Sequence, residues 1–268
     1  MKINILTLFP EMLEPVLHSS MLGRAEEKGI LEFNLINIRD FSKDKHNKAD
    51  DYPFGGGVGM VMMAQPIFDC MESLGVAGDD SGSKEKGVAA GSKEKGHKVI
   101  YMSPRGKTLT KEKIAEIASF DEVSILCGHY EGVDQRVIDH FNMEEISIGD
   151  YVLTGGEIPA MVLIDAVARF VPGVLGTQEC ATEESIYSGL LECPQYTKPR
   201  EYAGLTVPEV LTNGNHRLIH LWNYEQSLML TRKVRPDLFG DYAGRVSKGE
   251  IELTKDEKKV LNKILEME

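Results

Sequence analysis

Short apolar runs alternate along this chain with longer segments in which apolar residues recur every three to four positions. The first kind of segment is typical of β-strands and the second of amphipathic helices. The strand-like runs, of which the fifth is weaker, are Lys2 to Leu8, Leu31 to Ile38, Val99 to Met102, Val123 to Cys127 and Glu144 to Ile148. Because helical segments separate most of them, the pattern predicts an α/β fold with a parallel sheet.

The helical segments of the first part are Glu11 to His18, Met21 to Lys28, Gln65 to Leu74, Lys111 to Ser119 and Ile158 to Phe170. The last of these ends just before Pro172, and a proline normally terminates a helix. This helix is also apolar on nearly every face, and helices of that kind are usually buried. We therefore expect it to lie in the core.

Two segments lack either periodicity and divide the chain. Residues 75–97 contain the hexapeptide Gly-Ser-Lys-Glu-Lys-Gly twice, which indicates a flexible surface insert. Residues 176–186 form a polar and acidic stretch that we interpret as an interdomain linker. The linker separates a first domain, residues 1–175, from a second domain, residues 187–268.

The second domain is predicted to be small and mainly helical. Its helical segments are Pro208 to Leu211, a long one from His216 to Lys233 that stops before Pro236, and a final one that opens at Thr254. Thr254 and Glu257 have the spacing of a capping box, in which each residue satisfies a backbone N–H of the first turn.

The composition is that of an ordinary globular protein. The chain has 268 residues, of which 42% are hydrophobic, and contains no apolar run near the roughly 20 residues that a membrane span needs. Its amino terminus resembles a first strand rather than a signal peptide, so we expect a cytoplasmic protein. The cysteines are too widely spaced for a zinc pattern, and we predict reduced, structural thiols and no protein metal site. They are Cys70, Cys127, Cys180 and Cys193.

The net charge of −12 argues at first against a nucleic-acid partner. The charge is unevenly distributed, however: residues 1–186 carry 18 basic and 30 acidic residues, whereas residues 187–268 carry 12 of each. The segment from Lys198 to Arg235 contains six basic residues and three acidic ones. This modest basic patch is compatible with RNA binding and equally with a solvated helix face.

Three loops follow predicted strands at the edge where open α/β sheets bind ligands. They are Tyr101 to Gly106, Cys127 to Asp134 and Ile148 to Ala160. The third has two glycine turns before Pro159 and contains no Lys or Arg, so it presents backbone groups that suit a flat heterocycle better than a polyphosphate. The glycine run at residues 55–59 matches no phosphate-binding fingerprint.

Several motifs together resemble the bacterial tRNA (guanine-N1)-methyltransferase family. They are Asp51 to Met60, Gly128 to Gly132, Ile148 to Pro159, Leu190 to Pro199 and the end of the long helix up to Arg235-Pro236. The resemblance covers nearly the whole chain apart from residues 75–97. It implies a SPOUT methyltransferase with a deep trefoil knot in the first domain, bound S-adenosylmethionine, and a homodimer whose active site lies at the subunit interface.

The resemblance also implies which residues hold the cofactor. They are Tyr101, Ser103, Pro104, Gly128, Tyr130, Glu131, Ile148, Gly149, Tyr151, Leu153, Gly155 and Gly156. Backbone groups of these loops are suited to reading an adenine edge, and Glu131 to accepting hydrogen bonds from ribose hydroxyls or balancing the cofactor's positive charge. For Tyr101 and Tyr130 simple core packing is the alternative.

Guanine N1 carries a proton at neutral pH, so its methylation needs a base and a cation near the adjacent carbonyl oxygen. The resemblance assigns the cation to Arg169, for which an ion pair with Asp165 is the alternative. Relatives place an aspartate before a serine in the linker, where this chain has Glu184 before Ser185. Glu184 is therefore the predicted base, with Glu183 beside it as the alternative.

The implied substrate is the guanine immediately 3′ of the tRNA anticodon. The anticodon stem-loop would be held by the Asp51 to Met60 loop, the basic residues of the second domain and Lys198. The resemblance further suggests a requirement for Mg²⁺, although no metal-ligand spacing is visible in the sequence. Two other functions stay open. One is an RNA- or nucleotide-binding protein that has lost the base, and the other is a relative that methylates a ribose oxygen.

Overall fold

The structure is a computed structural model that describes residues 1–78, 96–176 and 185–266. Two compact units make up the chain, Met1–Gln178 and Glu179–Glu268. Most of the predicted insert and most of the predicted linker, including Glu183 and Glu184, lie outside the described residues.

The first unit contains a five-stranded sheet whose strands are β1 (Lys2–Thr7), β2 (Glu32–Asn37), β5 (His97–Thr108), β6 (Glu122–Cys127) and β7 (Glu144–Ser147). The sheet is fully parallel, and its strand order is β2-β1-β6-β5-β7. A two-stranded hairpin, β3 (Asp50–Asp51) and β4 (Val61–Met62), encloses the glycine-rich loop between them. The prediction of an α/β fold with a parallel sheet is confirmed.

The helices of this unit are α1 (Glu14–Leu17), α2 (Ser20–Glu27), α3 (Ala64–Ser73), α4 (Lys111–Ile117), α5 (Gln135–His140) and α6 (Glu157–Ala168). The segment predicted as one helix over Glu11 to His18 is a 3₁₀ turn, Pro10–Met12, followed by α1. Pro15 in the first turn of α1 explains the break, since proline begins a helix more readily than it continues one. α5 was not predicted, because six residues are too few for a clear period.

Both faces of the sheet are buried, as in other parallel sheets. Ile3 and Ile5 of β1 point into one core, which also contains the inward side of α6. Leu6 points to the opposite face, where it joins a second core with residues of α3 and α5. With both faces covered, ligands can reach the sheet only at its edges and ends.

α6 is less buried than its sequence predicts. Ala160, Leu163, Ile164 and Val167 pack into the core, but Ile158 and Val162 are 46% and 44% exposed. The expectation that nearly every face is covered is therefore wrong for this single chain. Because Ile158 and Val162 are one turn apart, the exposed apolar positions form a single face.

The last part of β5 leaves the sheet ladder and then rejoins it. Met102 and Lys107 both pair with Ile146 of β7, so residues 103–106 bulge outward. A side chain on Gly106 would place its Cβ 2.4 Å from the backbone carbonyl of Glu145. Glycine is thus required where the bulge returns to β7.

The described residues of the second unit contain a short hairpin, three α-helices and two 3₁₀ turns, Ser185–Ser188 and Glu209–Thr212. The second of these turns lies where the helical segment Pro208 to Leu211 was predicted. The hairpin strands are β8 (Glu201–Tyr202) and β9 (Leu205–Thr206), and the helices are α7 (His216–Val234), α8 (Pro236–Ser247) and α9 (Lys255–Leu265). Pro236 ends α7 as expected, but it also begins α8, which was not predicted. α9 opens with the capping box that the Thr254 and Glu257 spacing predicted. A small core holds the three helices together. In the parts of the chain described here, no helix is both long and apolar enough to cross a membrane.

Candidate active site

The three loops singled out in the sequence meet around one cavity of about 290 Å³ at the carboxyl end of the sheet. All twelve residues predicted to hold a cofactor line it. The structure thus brings together Tyr101, Ser103, Pro104, Gly128, Tyr130, Glu131, Ile148, Gly149, Tyr151, Leu153, Gly155 and Gly156. The volume is near the lower end of the range for small-molecule sites.

The first two loops touch through an aromatic ring and a glycine. Tyr101 is buried within β5, just before the bulge at residues 103–106, and a Cβ on Gly128 would lie 2.7 Å from its ring. Ser103, also buried, accepts a hydrogen bond at Oγ from the backbone N–H of Arg105. Burial raises the pKa of the Tyr101 phenol, so its hydroxyl is neutral and available for hydrogen bonding.

Backbone hydrogen bonds fix the second loop on two sides. On one side Met62 N–H donates to Gly132 O, and Glu131 N–H donates to Met60 O, both at 2.9 Å. On the other side Gly156 N–H donates to Gly128 O at 2.8 Å. Tyr130 has a φ of 59°, a left-handed conformation that is costly for a residue with a side chain. The surrounding contacts therefore hold this loop in a strained shape.

A tight turn begins the third loop. Gly149 has a φ of 149°, and its carbonyl oxygen accepts hydrogen bonds from Tyr151 N–H and from the Ser147 hydroxyl. The Tyr151 side chain is exposed beside Val152 and Leu153. Nothing among the described residues covers these side chains at the cavity mouth.

A buried carboxylate lies beneath the cavity, at the first residue of α6. Glu157 is 1% exposed; its Oε1 accepts a hydrogen bond from Thr7 Oγ1 at 2.7 Å, and its Oε2 lies 2.9 Å from His129 Nε2. The His129 ring also packs against Phe9, with 4.8 Å between ring centroids. Burial, and then the charge of Glu157, raise the pKa of the Cys127 thiol well above its ordinary value, which makes that thiol unreactive.

The charges around the cavity favour a cationic or neutral ligand over a polyphosphate. Arg105 lines the cavity, but its guanidinium binds both carboxylate oxygens of Glu145, at 3.1 and 3.0 Å. Glu131 is exposed at the cavity. The available groups are thus carboxylate, hydroxyl and backbone groups, which match an amino group, ribose hydroxyls and a sulfonium.

Of the predicted catalytic residues, only Arg169 is described. It caps the carboxyl end of α6 and is half-buried, while Glu157 begins the same helix at the cavity. Arg169 is not among the cavity-lining residues. Glu184 and its alternative Glu183 lie outside the described residues, so the structure does not test the predicted base.

Several residues at the cavity were not predicted. They are Met102, Arg105, His129, Gly132, Val133, Ile146, Ser147, Val152, Thr154 and Pro159, which line it, and Thr7 and Glu157, which lie beneath it. Most are neighbours of predicted residues within the same loops. Glu157 had a usable signal in the sequence, since it is an acid at the start of a helix whose only other charged residue is Asp165.

Comparisons with known proteins agree on one family. The family model described as tRNA (Guanine-1)-methyltransferase TrmD matches residues 1–241. A tRNA (guanine-N(1)-)-methyltransferase of Ruminiclostridium cellulolyticum is 53% identical over 89% of this chain and 96% of its own. The protein of the same name in Alkaliphilus oremlandii is 53% identical over 90% of this chain and 93% of its own. The one in Desulforamulus reducens is 49% identical over 97% of this chain and 94% of its own.

Proposed function

This chain belongs to the tRNA (guanine-1)-methyltransferase family, and from that premise we propose that it transfers the methyl group of S-adenosylmethionine to N1 of the guanine immediately 3′ of the tRNA anticodon. The observation that carries the proposal is the meeting of three strand-end loops, with all twelve predicted cofactor residues, around one cavity. That cavity presents backbone groups and a carboxylate rather than an unpaired cation.

The residues present fit S-adenosylmethionine, whose sulfonium supplies an activated methyl group. A side chain at Gly128, Gly155 or Gly156 would collide with neighbouring atoms. These glycines therefore let the backbone approach the ligand closely enough to hydrogen-bond the edge of an adenine ring. Tyr101 and Leu153 would cover the faces of the ring. Glu131 would bind ribose hydroxyls or balance the positive charge.

Proton removal from guanine N1 is assigned to Glu184, with Glu183 as the alternative. Arg169 would donate hydrogen bonds to the guanine carbonyl oxygen as negative charge develops there. An arginine is suited to this role because its guanidinium stays charged and presents several donors in one plane.

We further propose that the enzyme is a homodimer with a deep trefoil knot in each first domain, and that each active site combines residues of both subunits. The exposed apolar face of α6, with Ile158 and Val162, supports a partner at this position. So do the uncovered Val152 and Leu153 beside the cavity, since apolar side chains grouped at the surface mark interaction sites.

The anticodon stem-loop is assigned to the second domain and to the loop between β3 and β4. Tyr52 and Phe54 of that loop are largely exposed, as base-stacking side chains would be before RNA binds. In the second unit Arg217 and Arg235 pair with Asp256 and Asp237 yet stay exposed. Phosphate contacts by these residues would therefore exchange one ionic partner for another.

One assay tests the proposed reaction. The protein is incubated with S-adenosylmethionine and tRNA transcripts that carry guanine or adenine 3′ of the anticodon, and the products are reverse-transcribed. A methyl group on the Watson–Crick edge arrests the polymerase, so we expect a stop with guanine only. Tight tRNA binding without a stop would instead indicate a binding protein.

Two further properties follow from the same proposal. We place the enzyme in the cytoplasm, where its proposed substrate is found. The Mg²⁺ requirement is tested by adding a chelator to the assay. Because no three metal-ligating side chains cluster among the residues that the structure describes, a bound Mg²⁺ would need ligands from the substrate as well.

A further inference from the structure

We propose that Glu157, Thr7 and His129 form a positioning network that holds the loop 128–132 in its ligand-binding shape and thereby sets the affinity for S-adenosylmethionine. The inference rests on the proposed function for its ligand, but the positioning itself concerns the ligand-free protein. Neither the family resemblance nor the chemistry of methyl transfer assigns a role to these three residues.

The Glu157 carboxylate is buried. A carboxylate at 1% exposure is costly unless its oxygens are satisfied, and here each oxygen has one side-chain partner. It also lies in the first turn of α6, where the helix dipole favours a negative charge. A leucine at this position would fill similar space without any need for partners. The carboxylate is therefore better explained by its contacts than by packing.

The network joins three separate segments of the chain. Thr7 lies at the end of β1, His129 in the second cavity loop, and Glu157 within the third, at the first residue of α6. Gly155 lies against the pair so closely that an added Cβ would be 2.3 Å from His129 Nε2 and 2.6 Å from Glu157 Oε2. A shift of either side chain would therefore be transmitted to the backbone of the third loop.

The backbone next to the network is strained. Tyr130, with its φ of 59°, directly follows His129. Strained backbone persists only when its surroundings over-determine it. His129 is fixed by its ring contact to Glu157, by packing on Phe9 and by a backbone hydrogen bond to Met62 Sδ. Release of the ring would let Tyr130 relax and move Glu131 away from its present position.

The decisive variants are two substitutions of Thr7, which is fully buried. Thr7→Val keeps the volume but removes the hydroxyl, which donates to Glu157 and accepts from the backbone N–H of Phe9. Thr7→Ser keeps the hydroxyl with both bonds and removes a methyl group. Thr7→Val should destabilise the fold more than Thr7→Ser, because it leaves a buried carboxylate oxygen and a backbone N–H without this partner. A merely structural role predicts that loop protection and ligand affinity fall only in step with global stability, whereas positioning predicts an additional loss at the cavity loops and in ligand affinity.

The first readout is amide hydrogen exchange of the ligand-free protein. We expect the amides of Gly132 and Gly156, which bond within the loops, to exchange on the order of tenfold faster in Thr7→Val than in Thr7→Ser. Amides of β1 and β6 serve as the internal reference. Equal protection of Gly132 and Gly156 in both variants would overturn the proposal, whatever the ligand proves to be.

The second readout is calorimetric titration with S-adenosylmethionine. Thr7→Val and Glu157→Leu should raise Kd about tenfold, equivalent to about 1.4 kcal/mol, and should raise KM with little change in kcat. Glu157→Gln should stay near the wild type, because an amide can bond Thr7 and the other tautomer of His129. If the wild type itself binds no S-adenosylmethionine, the proposed function fails, and the exchange data alone decide on the network.

Ser124→Ala is the matched control for general destabilisation. Ser124 is also fully buried, and it bonds Asn4 and His97. It should lower Tm without changing either Kd or the exchange of the loop amides. An increase in Kd for Ser124→Ala equal to that for Thr7→Val would show that affinity follows global stability, and would refute the positioning role.

Discussion

Replacement of Gly156 by alanine is the most direct structural perturbation of the cavity. The new Cβ would lie 2.7 Å from Cys127 Cα and from the amide nitrogen of Gly128, whereas ordinary contact begins near 3.4 Å. Both obstacles are backbone atoms that cannot rotate away. The end of β6 and the third loop must therefore move apart by about 0.7 Å, the difference between 3.4 and 2.7 Å.

This displacement has two expected costs. Overpacking a well-filled site destabilises a protein by about 1–3 kcal/mol, which lowers Tm by several degrees in a chain of this size. It also breaks or lengthens the 2.8 Å hydrogen bond from Gly156 N–H to Gly128 O, which joins two of the cavity loops. Since a misplacement of about 1 Å can cost on the order of 100-fold in rate, we expect Kd for S-adenosylmethionine to rise by at least about tenfold.

Calorimetric titration and thermal unfolding measure the two effects. Gly240→Ala is the matched control, because Gly240 is exposed in α8 and a Cβ there meets nothing within 4 Å. That control should gain about 0.4–1 kcal/mol of stability and keep the wild-type Kd. A Gly156→Ala protein with wild-type affinity would refute the argument that close backbone approach at this glycine shapes the ligand site.

Four further predictions follow. Glu184→Gln should abolish methylation while sparing cofactor binding, and Glu183→Gln should leave the rate near that of the wild type; the reverse pattern in a single-turnover assay would move the base to Glu183. Arg169→Lys should lower kcat by about 100-fold or more with unchanged Kd for S-adenosylmethionine, and a wild-type kcat would remove the guanidinium from the mechanism. Val162→Asp should convert dimers to monomers in analytical ultracentrifugation, and a persistent dimer would place the interface elsewhere. Binding of tRNA, measured by filter retention, should weaken steeply as salt rises; a flat response would argue against phosphate contacts.

The fold of the first unit was largely predictable because its strands are continuous apolar runs separated by helical periods. Parallel strands bring their carboxyl ends to one edge, so the sequence also indicated which three loops would meet. Short or break-containing elements were missed, namely α5 and the helix that Pro236 begins. Their length or their proline hides the helical period.

The network beneath the cavity lay beyond sequence reasoning for a different reason. Thr7 and Glu157 are 150 residues apart, and nothing local marks them as partners. Burial of α6 was overestimated because sequence hydrophobicity does not distinguish a core face from an exposed apolar face, as Ile158 and Val162 show. Both features depend on tertiary contacts.

The central claim is tested most directly by locating the transferred methyl group. The enzyme is incubated with S-adenosylmethionine labelled in its methyl group and with a guanine-containing tRNA transcript, and the nucleosides are then separated by mass spectrometry. The account predicts label in 1-methylguanosine from the position immediately 3′ of the anticodon. Label in a ribose-methylated nucleoside, or no label in the tRNA at all, would contradict it.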